Sequence, residues 1–335
     1  MPQLGVLTTS LTRAQRFVRR LGRACIRQTR GPAGRLPLIH ARGQIRPFTL
    51  DEPVTIGEAL RGMSRHLDAR VMAGGIDLIN EMKRGSEIAH VVYLRGIAAL
   101  RGIDVTWDFL TIGAATTHVD IERASDLPLS LRSLRAIVQE IGNVRVRAAG
   151  TIGGNVMAAN RNYDWLPILM ALQAEICFAD RPDAWHPVEM LTLPLGYWRL
   201  PERLLYAIRI PLRGSPHLRF NRDLKPVITV AVCLRREASG DSGRVAIGCA
   251  YTAPVVREIE GLDESSNVAL RTATRTVDAL RESVPRPDAL AGVIGSRSAG
   301  MFPQPHDDGF ASSAYRRQMT QTLIVRTLRE MFECR

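Results

Sequence analysis

Thr151-Ile152-Gly153-Gly154-Asn155, led in by Ile141-Gly142-Asn143-Val144-Arg145-Val146-Arg147 and Gly150, is the stretch on which the reading of this chain turns. Paired glycines let the backbone take positive φ and let another group approach closely. The free N–H groups of such a turn suit an anion, more so beside a helix N-terminus. A second glycine turn stands upstream, Ala73-Gly74-Gly75-Ile76-Asp77, after the strand-like Ala69-Arg70-Val71-Met72 and before the helical Leu78-Ile79-Asn80-Glu81-Met82-Lys83. One Gly-Gly turn is an ordinary loop. Two of them, each at the end of an apolar run, say more than one.

With 335 residues the chain can hold two or three domains and bury a real core. Its 45% hydrophobic and 23% charged content are those of a soluble globular protein. No apolar run approaches a membrane span; the best, Val227 to Leu234, reads as a buried strand. The net charge of +12 suggests nucleic acid until it is located. Residues 1–46 carry ten arginines and no acidic residue, which leaves the other 289 residues near +2. A nucleic-acid surface needs that charge clustered on the folded body, so this class is rejected. Cys25, Cys177, Cys233, Cys249 and Cys334 stand at least sixteen positions apart. Iron–sulfur clusters and structural zinc sites need tight pairs, and disulfide frameworks an even count, so a reducing cytoplasm is expected.

Residues 1–44 read as a basic leader, either a disordered tail or residues upstream of the true start; no apolar h-region follows Arg19-Arg20. Order begins near Ile45. Pro47 to Leu50 is a short strand, and Thr55 with Glu58 three residues on forms a capping box opening a helix. A strand at His90 to Leu94, a hairpin over 100–113 with its turn near Asp108, and a helix from Val119 capped by Thr116 or Thr117 come next. Leu127 to Ile141 is helical, Leu166 to Ala174 a buried helix, and Glu175 to Ala179 a strand. Pro211 to Pro216 reads as a linker. Beyond it come strands at Val227 to Arg235 and Val245 to Tyr251, then helices at Asn267 to Leu280 and Ser312 to Glu333. The class is α+β, without βαβ alternation and without G-x-G-x-x-G.

Several ordered stretches now carry a resemblance. Val71-Met72-Ala73-Gly74-Gly75-Ile76-Asp77-Leu78, Thr111 to Thr117, and Ile141 to Asn155 as quoted above lead; Leu204 to Pro211 and Tyr315-Arg316-Arg317 are weaker echoes. Over residues 45–330 the chain resembles the flavin-binding medium subunit of molybdenum hydroxylases, the family of the carbon monoxide dehydrogenase medium subunit and the xanthine dehydrogenase flavin domain. The resemblance implies an FAD-binding PCMH-type fold, vanillyl-alcohol-oxidase-like. That fold would have two α+β subdomains at about 45–97 and 98–214, with a C-terminal α/β domain of the CO dehydrogenase flavoprotein type at 217–333. It implies FAD between the subdomains. Met72, Ala73, Gly74, Gly75, Ile76 and Asp77 then match the first phosphate loop. Thr151, Gly153, Gly154 and Asn155 match the second. Asp164 matches an aspartate on the ribityl or adenosine portion, Ile141 and Gly142 match contacts near the cofactor, and Leu204 an aliphatic residue against the flavin ring. No catalytic side chain and no metal ligand is expected. The molybdenum cofactor would sit on a molybdopterin-binding large subunit and 2Fe–2S clusters on a small one, with NAD⁺ or another acceptor taking the electrons.

The residue types agree with that expectation. A diphosphate wants N–H donors with no side chain in the way, sugar hydroxyls want an ionised acceptor, and a flavin ring wants an apolar slot. Each residue also has a plain reading: Asp164 as an N-cap before Trp165, Leu204 as core, Asn155 as a turn residue, His118 as a surface or capping residue. Two positions depart from the family: Ile76 replaces Thr or Ser, and Asn221 stands where many members carry lysine, with Lys225 four residues on. Alternative readings are a self-contained flavin oxidase or dehydrogenase, or a scaffold subunit that has lost its flavin.

Overall fold

The computed structural model describes residues 45–66, 68–158, 160–192, 203–222, 227–237, 240–259 and 302–333. The basic leader, the helix expected at 267–280 and Lys225 lie outside them. Three sheets follow one another along the described chain.

The first unit is β1 (Thr49–Asp51), α1 (Ile56–Arg65), β2 (Arg70–Met72), α2 (Ile76–Lys83) and β3 (His90–Tyr93). Its three parallel strands take the order β1-β3-β2. The capping box at α1 forms as the sequence predicts, with Thr55 Oγ1 accepting from the Glu58 N–H and Glu58 accepting from the Thr55 N–H. Alternate residues of β3 serve two cores, as a strand's period of two requires. Val91 and Tyr93 pack with Met72, Leu78, Ile79 and Met82, whereas Val92 packs with Ala59, Met63 and Leu94.

The second unit holds β4 (Ile103–Val105) and β5 (Phe109–Gly113). It continues through α3 (His118–Arg123), α4 (Ser133–Gln139), α5 (Val144–Ala149), α6 (Ile152–Met157) and α7 (Trp165–Ala171). It ends in β6 (Glu175–Phe178), β7 (Arg181–Pro187) and β8 (Leu205–Pro211). The strands form an antiparallel sheet of order β4-β5-β8-β6-β7. The helix expected over Leu127 to Ile141 is broken: a short 3-10 turn at Leu129–Leu131 precedes α4. Pro128 pushes Leu127 out of the helical region, so no helix starts there. Thr117 is the cap of α3, while Thr116 instead exchanges two 3.0 Å hydrogen bonds with the Gly102 backbone.

The third unit is an antiparallel sheet of β9 (His217–Arg222), β10 (Thr229–Glu237), β11 (Gly240–Gly248) and β12 (Val255–Glu258), in the order β12-β11-β10-β9. One face is covered by α8 (Ser313–Glu333), whose Leu323, Ile324, Leu328, Met331 and Phe332 form one stripe against Val230, Val232 and Ile247. The other face sends Leu218, Phe220, Ala231, Cys233 and Ala246 into the core of the second unit. Helix α7 lies between the two sheets, and all seven of its residues are buried. The expected linker at Pro211 to Pro216 is a clamped turn. The buried Arg235 guanidinium donates to the carbonyls of Pro211 (2.9 Å), Arg213 (2.6 Å) and Leu172 (2.7 Å) and fixes that turn against α7.

Arg316 is the strongest tie within the third unit. Its side chain is fully buried and donates to the carbonyls of Val227 and Cys249 and to Asp308 Oδ1 at 2.7 Å. Truncation removes the buried donor of all three bonds and half of an ion pair, which costs about 3–5 kcal/mol. Arg316→Ala is therefore expected to lower unfolding free energy by that amount in urea titrations, whereas Arg317→Ala, one residue on and exposed, changes it little.

Candidate functional site

The two glycine stretches meet. A Cβ placed on Gly74 would lie 1.8 Å from the Ala149 carbonyl oxygen and 2.9 Å from Gly150 Cα. The turn after β2 thus rests backbone on backbone against the junction of α5 and α6. A Cβ on Gly154 would stand 3.9 Å from Ala73 Cβ, so Gly154 and Ala73 face one another across the same seam. Gly75, at φ +75°, turns the chain directly into α2 as its N-cap and offers no side-chain cap. That conformation is open to glycine and strained for other residues.

The donors of the two stretches differ. Among the described residues no hydrogen bond is made by the N–H groups of Gly74, Gly75, Ile76 and Asp77, as expected for an uncapped helix start. In the second stretch the N–H groups are used within the chain. Ile152 donates to Thr116 O (3.1 Å), Gly153 to Ala114 O (2.9 Å), Gly154 to Thr151 Oγ1 (3.0 Å) and Asn155 to Thr151 O (3.0 Å). Thr151–Asn155 is thus not a free glycine turn but the capped start of α6, with Thr151 at φ −117°. It contributes shape, through an exposed Gly154 without a side chain, and polar side-chain atoms. Asn155 Oδ1 is buried without a hydrogen-bond partner. An acceptor left in that state costs about 1–3 kcal/mol unless something donates to it.

The other residues singled out from sequence divide into two groups. Met72 is buried in the first core, and Ala73 packs on the cluster in which Leu204 sits with Ala59, Val92, Leu94, Leu100 and Ala115. Leu204 thus lies under the first turn, in the seam between the first two sheets. Asp164 instead meets Arg222 at the end of β9, beside Glu140, the residue before Ile141 and Gly142. Arg222 donates to the Glu140 carbonyl and, at 3.2 Å, to Asp164 Oδ2. Asp164 is fully buried at the N-cap position of α7, as the plain reading has it, but its side chain makes no capping hydrogen bond and pairs with Arg222. Ile141 has its side chain in the main core, and Gly142, at φ +57°, is held where a Cβ would strike Val146.

Three residues that the sequence did not reveal complete the arrangement. Tyr163 donates its phenol proton to Asp77 Oδ1 at 2.8 Å and links the two groups. Its burial, together with the Asp77 carboxylate, pushes the phenol pKa well up, so it stays a donor. His118 is buried, contrary to the surface or capping expectation; the cap is Thr117. Trp165 Nε1 donates to His118 Nδ1 at 3.1 Å, which leaves the imidazole proton on Nε2, beside Gly150. The His118 N–H also bonds Gly150 O at 3.0 Å. Burial, and secondarily the Arg147 guanidinium, lower the His118 pKa from 6.5 to about 4. Neither Tyr163 nor His118 lies in a local pattern that announces such pairings, because each partner is far away in sequence.

The sequence profile described as "FAD binding domain in molybdopterin dehydrogenase" matches residues 46–213. The chain belongs to this family. This FAD-binding chain is 24% identical to the xanthine dehydrogenase FAD-binding subunit of Escherichia coli O157:H7, over 82% of its own length and 93% of the relative's. It is 28% identical to the carbon monoxide dehydrogenase medium chain of Afipia carboxidovorans, over 84% and 95%. A chain of quinoline 2-oxidoreductase from Pseudomonas putida 86 superposes with a TM-score of 0.69 at 18% identity, covering 86% of this chain and 98% of that one. The expected fold class is therefore the observed one. FAD is the cofactor of this flavoprotein, an oxidoreductase subunit of the xanthine and carbon monoxide dehydrogenase type. The residues present fit such a cofactor: unpaired N–H groups at the first turn, a side-chain-free Gly154 opposite it, and an unmet acceptor on Asn155. No helix among the described residues is long and apolar enough to cross a membrane.

Two outcomes test this geometry. Gly74→Ala forces the first turn off Ala149 and is expected to lower stability by about 1–3 kcal/mol. Gly57→Ala, where the nearest atom is 3.5 Å from the new Cβ, serves as the neutral control in the same denaturant titration. For His118 the sign follows from its lowered pKa. The unfolded chain binds the proton and the folded one does not between about pH 6.5 and about pH 4. Stability is full above that window, falls by a few kcal/mol as pH drops through it, and levels off below. His118→Gln should flatten this part of the stability–pH curve; an unchanged slope would show that other groups carry it.

Proposed function

We propose that this chain is the electron-transfer subunit of a molybdenum hydroxylase complex. A molybdopterin-binding large subunit would oxidise the substrate, and a 2Fe–2S small subunit would relay electrons to the flavin on this chain, for delivery to NAD⁺ or another acceptor. The observation that carries this reading is the seam itself. Two glycine stretches from separate sheets meet where one offers unpaired N–H groups and the other no side chain. The cysteines agree. Cys177, Cys233 and Cys249 are buried and far apart in sequence, and the sequence has no tight cysteine pair, so clusters would belong on another chain. Buried free thiols also suit a reducing cytoplasm.

When bound, FAD supplies the electron-accepting chemistry that side chains lack. The protein's part is to hold it. Gly74, Gly75, Ile76 and Asp77 would give main-chain donors to the diphosphate, strengthened by the positive end of α2. Asn155 would accept from a cofactor hydroxyl or amine. Leu204 would pack under an apolar ring. Asp164, paired with Arg222, would act on the ribityl or adenosine side. Ile76 removes one hydroxyl, about 0.5–1.5 kcal/mol, but leaves its own N–H free. Asn221, at the position where many members carry lysine, is turned toward α8, donating at 3.0 Å to both Thr327 Oγ1 and Glu330 Oε2.

The full chain reconstituted with FAD is expected to retain one equivalent and show the flavin absorption band near about 450 nm. Gly154→Leu should abolish retention while far-ultraviolet circular dichroism stays unchanged, because Gly154 is exposed. Unchanged retention would move the site elsewhere. In the complex, the chain should co-purify with an iron–sulfur and a molybdenum subunit. Turnover of a reduced substrate by this chain alone would overturn the assignment.

A further inference from the structure

We propose that His66, Asp68 and His90 form a divalent transition-metal site of the zinc class on the first sheet. One ligand atom from each lies within 4.8 Å of the others. The two imidazoles lie ring on ring, with centroids 3.6 Å apart and planes 8° from parallel. The fold brings them together: His66 ends α1, Asp68 stands two residues before β2, and His90 opens β3. Because β2 and β3 are parallel neighbours, their starts share one edge of the sheet. The glycine turn follows the opposite end of β2, so this cluster is separate from the flavin seam and does not depend on it.

The decisive detail is the proton on His90. The Thr49 hydroxyl donates to the Ala89 carbonyl at 3.2 Å and lies 2.6 Å from His90 Nδ1. In the proposed tautomer the Thr49 proton stays on Ala89 and Thr49 Oγ1 accepts from Nδ1–H. The His90 lone pair is then on Nε2. A hydrogen bond of this kind behind the ring is what orients metal-binding histidines and makes them better ligands. The donor set, two imidazole nitrogens and one carboxylate, matches zinc sites with three protein ligands and an open fourth position. Bond lengths of about 2.0–2.2 Å bring ligand atoms of a tetrahedral site to about 3.3 Å apart. Parallel stacked rings aim their in-plane lone pairs side by side, so binding one ion requires half-exposed His66 to turn out of the stack while exposed Asp68 closes on the ion. A metal there would staple the α1–β2 connection to β3 and stiffen the sheet that carries the first glycine turn.

The test uses the full chain without a histidine tag, stripped with EDTA and titrated with Co²⁺ as the visible probe. One saturating equivalent is expected, with the d–d absorption of a low-coordinate ion, displaced by Zn²⁺. His66→Gln and His90→Gln should abolish it, and Asp68→Asn should weaken it. Thr49→Val, which removes no ligand, should weaken it by about 10- to 100-fold. Retained FAD and circular dichroism report whether each variant is folded, and Asp68→Asn, being exposed, keeps the test open if a histidine variant is not. No saturable equivalent, or equal Co²⁺ affinity in the His66→Gln/His90→Gln double variant, overturns the proposal. Unchanged affinity in Thr49→Val overturns the assigned proton position.

Discussion

The place where Gly74 has no side chain is occupied by the carbonyl oxygen of Ala149. That contact sets how the first sheet meets the second. With Gly74 seated, Gly75 in the left-handed region starts α2 at once, and Ala73 comes to face Gly154. Gly150 and Gly153 obey the same constraint from the other side. A Cβ on Gly153 would stand 2.5 Å from Ala114 O, and one on Gly150 would stand 2.7 Å from Val146 O and 3.2 Å from the His118 ring. Three glycines, Gly74, Gly150 and Gly153, are therefore positions where main chain touches main chain or a buried ring. The seam is made of backbone because only backbone fits there.

That close approach explains a division of labour between the stretches. The second is braced from behind by Thr116, Ala114 and His118, so its N–H groups are already engaged. Bracing makes it rigid and leaves the first stretch as the source of free donors. The α2 macrodipole adds to those donors, and Tyr163 holds the Asp77 carboxylate by a hydrogen bond. His118 must stay neutral for this to hold, since an imidazolium at Nδ1 would have no acceptor to offer Trp165. Burial supplies that neutrality.

The third sheet is a back wall as well as a domain. Its inner face completes the core around α7, and Arg222 at the end of β9 holds Asp164 and Glu140 together. Arg235 clamps the connecting turn onto α7. Desolvated arginines bonded to several carbonyls give geometric definition that apolar contacts alone do not. The Asp164 position is consequently fixed by a residue nearly sixty positions away.

The sequence by itself determined the features whose causes are local. The capping box at Thr55 and Glu58, the strand and helix on either side of Gly74-Gly75, the buried strand at β10 and the final helix were legible because caps, glycine conformations and periodicity act within a few residues. So was the family, carried by the ordered glycine-rich stretches, and with it FAD. The break in the helix expected over Leu127 to Ile141 was missed, although its cause, Pro128, is local. What only the tertiary structure decided were pairings between distant residues. It decided that the Ile152–Asn155 N–H groups are satisfied, that the Asp164 side chain pairs with Arg222, and that His118 is buried and accepts from Trp165. It also decided that Tyr163 reaches Asp77 and that His66, Asp68 and His90 converge. Hydrogen-bond partners and desolvation depend on which elements are packed together. No window along the chain contains that information; the contact of Gly74 with Ala149, across seventy-five residues, is its plainest example.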